Sequence, residues 1–207
     1  MNDSNGTSDK TSFKILYLHG FATNKTLMRF QSRQIVKRLP WCKHVFINAP
    51  IVSDVEPNEM VKRMVDPPYY YYCKRKDGNY QGLEYSLQFL KKYVKDNDID
   101  AIVAFSQATY VTSMILDSLD LKFFVSVCGL EIESYMDINN NLSKKINISE
   151  MIKTKSFHII GKEDPFYDRG IKLAKRFCNH KLLEHSGGHC FPSERYIYDK
   201  LIEWICN

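Results

Sequence analysis

The sequence predicts an α/β fold, with a mostly parallel sheet of about six strands and helices on both faces. Short apolar runs, each the length of one buried strand, alternate along the chain with longer segments whose apolar residues recur at helical spacing. Several of these runs end abruptly at a glycine, a histidine or a serine. In sheets of this kind, active sites lie at the carboxyl ends of the strands. The residues that follow each apolar run are therefore the first candidates for chemistry.

The predicted strands are the apolar runs at 13–18, 45–47, 101–105, 123–127, 156–160 and 181–184. The predicted helices are 24–39, 82–94, 106–119, 168–178 and 192–205. Asn24 or Thr23 is a suitable cap for the first helix, Pro40 ends it, and Pro192 suits the first turn of the last helix. Residues 51–80 contain three prolines and a run of four tyrosines, and we predict an irregular segment there.

The length of 207 residues predicts a single domain, 13–207, with a sizeable core. Residues 1–12 are polar and contain no apolar signal segment, so they are predicted to be disordered. A polar stretch near 131–148, which includes three consecutive asparagines, predicts a surface insertion.

The charge and cysteine patterns narrow the class of protein. The net charge of +5 is spread over the polar faces of the predicted helices, without a basic cluster interleaved with stacking aromatics, so nucleic acid is not an expected partner. No apolar stretch approaches the length of a membrane span. The six cysteines form no Cys-x-x-Cys pair and indicate reduced thiols in a cytoplasmic protein. The oligomeric state stays open.

The most informative feature is the serine at the junction of a predicted strand and a predicted helix. The run 101–105 stops at Ser106, and helical spacing begins at once. A serine on such a sharp turn is the way in which an α/β-hydrolase presents its nucleophile, normally within Gly-x-Ser-x-Gly. Here Ala104 and Ala108 replace the two glycines, the smallest possible step away from them. A serine that merely caps the helix is the alternative, so the companions of Ser106 must decide.

A hydrolytic serine needs a base and a carboxylate that orients the base, which in this fold follow in the order serine, aspartate, histidine. Asp164 follows the predicted strand 156–160, and His189 follows the predicted strand 181–184. Glu163 is a second, lower-ranked candidate for the carboxylate. His185, His189 and Cys190 also suggest a metal site, which we discount because a fourth ligand with suitable spacing is lacking and zinc would block the base.

The oxyanion of an acyl-transfer intermediate needs backbone N–H donors. The turn after the first strand offers the N–H of Phe21 (or of Ala22), and the start of the helix after the serine offers that of Gln107. The partial positive charge at that helix end adds to the stabilisation. His19, in the same turn as Phe21, is interpreted as a residue that shapes the loop.

The run of four tyrosines at 69–72 has two interpretations. Tyr69 and Tyr70, together with the insertion near 131–148, are candidates for the wall of an acyl pocket. A packed loop that covers the sheet is the equally weighted alternative.

Five short motifs, spread over the chain from Phe13 onward, resemble those of the FSH family of serine hydrolases, which are small α/β-hydrolases. They are Leu18-His19-Gly20-Phe21, Gly82-Leu83-Glu84-Tyr85-Ser86-Leu87, Phe105-Ser106-Gln107, Gly161-x-x-Asp164 and His185-x-Gly187-Gly188-His189-x-x-Pro192. The resemblance implies an α/β-hydrolase fold, with Ser106 as nucleophile, Asp164 as orienting carboxylate and His189 as base. The departure from the family pattern is the pair of alanines that flank Phe105-Ser106-Gln107.

The resemblance also implies a carboxylic-ester hydrolase that acts on small-molecule esters of acyl chains, with thioesters chemically close. Its chemistry needs no metal or organic cofactor. A hydrolase fold that has lost activity and serves as a binding protein is the alternative suggested by Ala104 and Ala108. A third interpretation is phosphoesterase or peptidase activity by the same residues.

Overall fold

The computed structural model describes residues 12–77, 79–132 and 151–207. The predicted disorder of residues 1–12 and the predicted insertion near 131–148 therefore fall almost entirely outside the described residues. Of the insertion, only Glu131 and Ile132 are described, and Ile132 is fully buried.

The chain alternates strands and helices as the sequence predicts. The strands are β1 Lys14–Leu18, β2 Lys43–Ile47, β3 Ile51–Val52, β4 Tyr70–Tyr71, β5 Lys74–Lys76, β6 Asn79–Gln81, β7 Ala101–Phe105, β8 Phe123–Val127, β9 Ser156–Gly161 and β10 His180–His185. The helices are α1 Lys25–Gln31, α2 Arg33–Arg38, α3 Glu59–Met64, α4 Leu83–Asp96, α5 Gln107–Ser113, α6 Tyr167–Ala174 and α7 Arg195–Cys206.

Six of the strands form one sheet in the order β10-β9-β8-β7-β1-β2. Every neighbouring pair is parallel, so all six strands end at the same edge, which we call the carboxyl edge. This arrangement confirms the predicted α/β architecture with a parallel sheet of six strands. None of the helices in the described part of the chain is long and apolar enough to cross a membrane.

The sheet separates two apolar layers because alternate residues of each central strand point to opposite faces. Ile102 and Ala104 of β7 pack with the buried side chains of α4, α5 and α6. Ala101, Val103 and Phe105 of the same strand pack with those of α1, α2 and α7. All five residues are buried, which explains why β7 is an uninterrupted apolar run. Burial of each large apolar side chain contributes about 1.5–3 kcal/mol.

Three predicted helices end or divide at other residues than expected, and a local side-chain bond explains one of these differences. The predicted helix 24–39 is two helices that meet at Ser32, whose hydroxyl donates to the carbonyl of Met28 at 2.7 Å. Bonds of this kind compete with the regular ladder and bend helices. The helix after Ser106 ends at Ser113 and is followed by a 3₁₀ turn at Leu116–Ser118. The predicted helix 168–178 ends four residues early, at Ala174.

The last helix begins at Arg195, so Pro192 precedes it rather than occupying its first turn. Glu194 keeps an extended backbone, with ψ of 115°, and its carboxylate is bonded to Ser186. The helix therefore begins at the next residue, Arg195, three residues after the predicted start.

The prediction of an irregular segment at 51–80 is wrong in part. The segment contains helix α3, whose cap Asn58 accepts from the N–H of Val61 at 3.0 Å. The prolines flank this helix instead of interrupting it. The segment also contains the two-stranded pair β3–β4 and the strands β5 and β6, which pair with each other.

Candidate active site

The turn around Ser106, residues 104–108, which we call the elbow, has a strained backbone. Ser106 has φ of 53° and ψ of −120°, a conformation that L residues rarely adopt and that costs on the order of 1–3 kcal/mol. Ala104 and Ala108 are both fully buried on either side of it. The elbow also packs against Gly20 of the turn after β1, where an added Cβ would lie 3.2 Å from the Cβ of Ser106. The turn therefore has room for small neighbours only.

Ser106, His189 and Asp164 form one chain of hydrogen bonds. His189 Nδ1 lies 2.8 Å from Asp164 Oδ2, and His189 Nε2 lies 2.8 Å from Ser106 Oγ. A carboxylate accepts only, so Nδ1 carries the proton and donates to Asp164. Nε2 is then free to accept the hydroxyl proton of Ser106. The structure thus brings together the three residues that the sequence singled out, in the geometry of a nucleophile, a base and its orienting group.

Asp164 supplies the carboxylate of this hydrogen-bond chain, and it is deeply buried. Its side chain is 1% exposed, while that of His189 is 25% exposed. The second carboxylate oxygen accepts from the backbone N–H of Phe166 at 2.8 Å, so both oxygens are satisfied. Glu163, the lower-ranked candidate, is exposed on the same turn. The structure therefore places Asp164, and not Glu163, beside the imidazole.

Residues 185–190, which we call the histidine loop, are held by contacts from outside the loop. Glu194 accepts from the N–H of Ser186 at 2.9 Å and from its hydroxyl at 2.8 Å. These bonds favour the charged carboxylate and lower its pKa to about 2. The loop also lies directly on the end of β9: an added Cβ at Gly161 would lie 2.2 Å from the carbonyl oxygen of Gly188. The position of His189 thus depends on close backbone contact and on a charged anchor.

Two aromatic rings flank the imidazole of His189. The ring of Phe105 lies 5.2 Å from it and the ring of Phe166 lies 5.4 Å from it, centroid to centroid. Phe166 is 38% exposed, so it presents an apolar surface beside the hydrogen-bond chain. The surroundings of the His189 imidazole are therefore apolar on two sides.

Cys128, at the end of β8, lies behind the hydrogen-bond chain. Its thiol donates to the carbonyl of Cys190 at 3.2 Å. Burial, reinforced by the charge of Asp164, raises the pKa of this thiol, which is therefore protonated. The sequence offered no signal for this placement.

Within the described residues, one group has metal-ligand geometry: Cys128, Asp164 and His189 each have a ligand atom within 4.8 Å of the other two. The Nδ1 of His189 and the carboxylate of Asp164 are already bonded to each other, and the thiol is protonated. The donor set fits proton transfer better than metal binding. The group that the sequence suggested and we discounted, His185, His189 and Cys190, is a different one.

His19 shapes the turn after β1, as interpreted from the sequence. Its Nε2 accepts from the N–H of Ala49 at 2.9 Å, so Nδ1 carries the proton and donates to the carbonyl of Gly20 at 2.7 Å. Burial lowers the pKa of His19 to about 4, which keeps the ring neutral. The ring fixes the peptide that precedes Phe21.

The two candidate oxyanion donors lie in two turns, the turn after β1 and the elbow, which meet at Gly20 and Ser106. Phe21 is in the turn held by His19, next to Gly20, which packs on Ser106. Gln107 is the first residue of α5, where a helix leaves its N–H groups without intrahelical partners.

The tyrosines of 69–72 have mixed environments. Tyr69 is half-buried and its hydroxyl donates to the carbonyl of Val65 at 3.0 Å. Tyr70 is also half-buried and pairs through its backbone with Thr23. Tyr71 and Tyr72 are buried.

Comparisons with known proteins identify the family. The family model described as "Serine hydrolase (FSH1)" matches residues 8–201 of this chain. An esterase of Aedes aegypti is 25% identical over 207 residues, which cover 89% of this chain and 72% of that protein. Thioesterase FSL2 of Gibberella zeae is 26% identical over 216 residues, which cover 87% and 86% of the two chains.

A solved structure shows the same fold at low sequence identity. The crystal structure of Zea mays acyl-protein thioesterase 2 matches with a TM-score of 0.62 and 16% identity, covering 96% of this chain and 94% of that one. The predicted resemblance to the FSH family is thereby confirmed. The chain belongs to the serine hydrolase (FSH1) family, on an α/β-hydrolase fold.

Proposed function

We propose that this chain hydrolyses carboxylic esters of acyl chains, with Ser106 as nucleophile, His189 as general base and Asp164 as the group that orients the base. The observation that carries the proposal is the continuous hydrogen-bond chain from Ser106 Oγ through His189 to Asp164, with both bonds at 2.8 Å. Membership of a serine hydrolase family with esterase relatives supports it.

The proposed reaction has two steps, which form and then clear an acyl-enzyme. Ser106 Oγ attacks the acyl carbonyl carbon while His189 Nε2 takes its proton. The imidazolium then gives this proton to the leaving alkoxide, so the ester C–O bond breaks and an acyl-enzyme remains. Water, deprotonated by the same nitrogen, attacks the acyl carbon. The bond from this carbon to Ser106 Oγ then breaks as the imidazolium returns the proton to Oγ, and the carboxylic acid is released. Asp164 stabilises the imidazolium in both steps without taking the proton.

The N–H groups of Phe21 (or Ala22) and Gln107 are the proposed donors to the oxyanion. Loss of one such donor typically lowers kcat by roughly 10²–10³-fold. Their place on two turns that both pack on Ser106 supports this assignment.

The apolar surface beside the site supports an acyl substrate. Phe21 is 37% exposed and Phe166 is 38% exposed, so both rings present apolar surface to solvent near the hydrogen-bond chain. We propose that Tyr69 and Tyr70 belong to the same acyl-binding wall. Tyr70→Ala should raise KM for long acyl esters while leaving acetyl-ester turnover unchanged. An unchanged chain-length preference would remove these tyrosines from the wall.

A fluorophosphonate probe tests the nucleophile directly. Wild type should be labelled, Ser106→Ala should not, and Ser118→Ala, an exposed serine after α5, should be labelled as wild type. Well-folded wild type that resists the probe would favour the alternative, a hydrolase fold used for binding.

The substrate class needs a separate comparison. p-Nitrophenyl acyl esters and acyl thioesters should turn over, while p-nitrophenyl phosphate and peptide substrates should not. The thioesterase among the relatives makes thioesters the second substrate class to measure. Turnover of the phosphate or peptide substrates alone would contradict the proposal.

The pH profile tests the base. Turnover should fall on the acidic side because a protonated imidazole cannot accept the serine proton. A flat profile between about pH 5 and 8, with the chemical step rate-limiting, would exclude His189 as base.

The cytoplasm, whose reducing environment keeps thiols free, is the compartment that we propose for this activity.

A further inference from the structure

The residues 70–73, which we call the connector segment, touch both turns that carry the proposed oxyanion donors. At one end the connector segment pairs with the turn after β1. The N–H of Tyr70 donates to the carbonyl of Thr23 at 2.7 Å, and the N–H of Thr23 donates to the carbonyl of Tyr70 at 3.3 Å. Thr23 lies two residues after Phe21 in the same turn.

At its other end the connector segment is bonded to the elbow through one side chain. The Oε1 of Gln107 accepts from the N–H of Tyr72 at 2.8 Å, and its Nε2 donates to the carbonyl of Cys73 at 2.8 Å. Gln107 is 7% exposed, and Tyr72 and Cys73 are fully buried. The primary amide thus uses both its acceptor and its donor on consecutive residues, as a neighbouring β-strand would.

A third contact joins the connector segment to Phe21 itself. The ring of Tyr71 stacks on the ring of Phe21, with centroids 5.5 Å apart and an interplanar angle of 17°. Behind the segment, the hydroxyl of Ser86 donates to the carbonyl of Tyr72. The segment is therefore fixed from the side of α4 as well as from both turns.

We propose that the side chain of Gln107 is a positioning residue for the oxyanion site: it binds the connector segment to the elbow and so sets the distance between the N–H groups of Phe21 and Gln107. This inference rests on the proposed function. Two donors on separate turns stabilise one oxyanion only if both lie about 2.7–3.1 Å from it. A shift of about 1 Å in such a site can cost on the order of 10²-fold in rate.

A purely structural role for the amide predicts a different outcome. In that case Gln107 only satisfies the buried N–H of Tyr72 and the buried carbonyl of Cys73, and its loss lowers stability. The folded fraction of a variant would then keep its kcat. A positioning role predicts instead a loss of kcat in folded protein, with KM little changed, because the oxyanion exists only in the transition state.

The experiment compares Gln107→Ala and Gln107→Glu with Gln88→Ala in the full-length chain. Both Gln107 variants keep the backbone N–H of residue 107. Ala removes both amide bonds, and Glu keeps the acceptor but sets a carboxylate oxygen against the carbonyl of Cys73. Gln88 is an exposed glutamine on α4 and serves as the matched control.

For both Gln107 variants, kcat on p-nitrophenyl acetate should fall by about 10–100-fold, with KM within about threefold of wild type. The inhibition constant of an acyl trifluoromethyl ketone, whose adduct carries an oxyanion, should rise by the same factor. The acidic limb of the pH profile should stay in place, because His189 and Asp164 are untouched. Gln88→Ala should match wild type.

A second pair of variants tests the other end of the segment and does not depend on the Gln107 variants folding. Tyr71→Leu removes the ring stacked on Phe21, and we expect a smaller loss of kcat, about 3–10-fold. Tyr71→Phe removes only the hydroxyl, which donates to Asp54 at 3.2 Å, and should behave as wild type.

Suppose that the wild type is active and that folded Gln107→Ala and Tyr71→Leu keep its kcat and its inhibitor affinity. This result would overturn the inference about Gln107 and leave the proposed function intact. A wild type without any Ser106-dependent turnover would instead refute the proposed function, and this inference with it.

Discussion

The elbow and the histidine loop meet in one hydrogen bond, yet they are held in different ways. The elbow keeps Ser106 at φ of 53° between two alanines that are fully buried. The histidine loop contains two glycines, but among the described glycines only Gly82 has a positive φ. The glycines of the loop are therefore not needed for an unusual backbone angle.

This difference separates two ways of placing a reactive group. The serine is placed by its own backbone conformation and by neighbours too small to displace it. The histidine is placed by partners from other parts of the chain: Asp164 at its ring, Glu194 at the base of its loop, and Gly161 beneath it. Substitutions of these partners should therefore displace His189, while conservative changes next to Ser106 should be tolerated.

The largest expected effect is that of Asp164→Asn. The amide of Asn can donate an N–H to Nδ1 of His189, and the imidazole proton would then sit on Nε2. A protonated Nε2 cannot accept the hydroxyl proton of Ser106. We expect kcat on p-nitrophenyl acetate to fall by roughly 10⁴-fold in folded protein. Glu163→Gln, the exposed neighbour, should match wild type. If the two variants lost activity equally, Asp164 would not be the orienting group.

The next effect is that of Gly161→Ala. Its Cβ would lie 2.2 and 2.3 Å from the carbonyl oxygens of Gly188 and Gly187, so the histidine loop must move away from β9. We expect a loss of kcat on the order of 10²-fold and a loss of stability of about 1–3 kcal/mol.

Gly188→Ala is the matched control for that variant. Its Cβ would approach nothing more closely than the carbonyl oxygen of Glu163 at 3.5 Å, an ordinary contact. Activity and urea midpoint should stay near those of wild type. Equal losses in the two variants would show that the loop needs its glycines for backbone freedom and not for close contact with β9.

A smaller effect is expected from Glu194→Gln, and it should depend on pH. The pKa of Glu194 lies at about 2 in the fold against 4.5 for the ordinary group, so the charged form contributes stability above pH 4.5 and loses that contribution as the pH falls toward 2. The variant should be at most about 1 kcal/mol less stable at neutral pH, because solvent screens this partly exposed carboxylate, and the difference should shrink below pH 4.5.

Urea unfolding at a series of pH values measures this difference. Glu84→Gln, an exposed carboxylate on α4, is the control and should show no such convergence. A difference that stays constant through the acidic range would mean that the charge of Glu194 does not anchor the loop.

The smallest effect is expected at the elbow itself. Ala104→Gly and Ala108→Gly restore the usual glycines and should leave fluorophosphonate labelling of Ser106 intact or faster. Ala108→Gly should cost about 1 kcal/mol of stability, because glycine is a poor helix residue. Loss of labelling in folded protein would mean that the elbow is not held by packing as we describe.

Particular elements show how far sequence reasoning reached. The strand before Ser106 and the strand Phe123–Val127 coincide with their predictions, since a continuous apolar run has one stable place in a parallel sheet. Asn24, one of two proposed caps, accepts from Thr26 and Leu27 at the start of α1. The segment 51–80 was harder, because its short strands are stabilised by partners distant in the chain.

The site shows the same division. Ser106, Asp164 and His189 could be selected because each follows an apolar run, and parallel strands bring such positions to one edge. The roles assigned to them remain proposals. Two further contacts of the site could not be predicted: that of the Cys128 thiol near Asp164, and those of the Gln107 amide with the connector segment. No local sequence pattern indicates them, because each joins residues far apart in sequence.

By itself, the sequence determined the fold class, the order of the strands and helices, and the three residues that could share a hydrogen-bond chain. Periodic burial and strand ends are properties of short segments, so they can be read locally. Only the tertiary structure decided the positive φ of Ser106, the hydrogen bond that joins His189 to Asp164, and the contacts of the connector segment with both turns. These features depend on how separate elements pack against each other, to within a few tenths of an ångström. The local sequence does not set such distances.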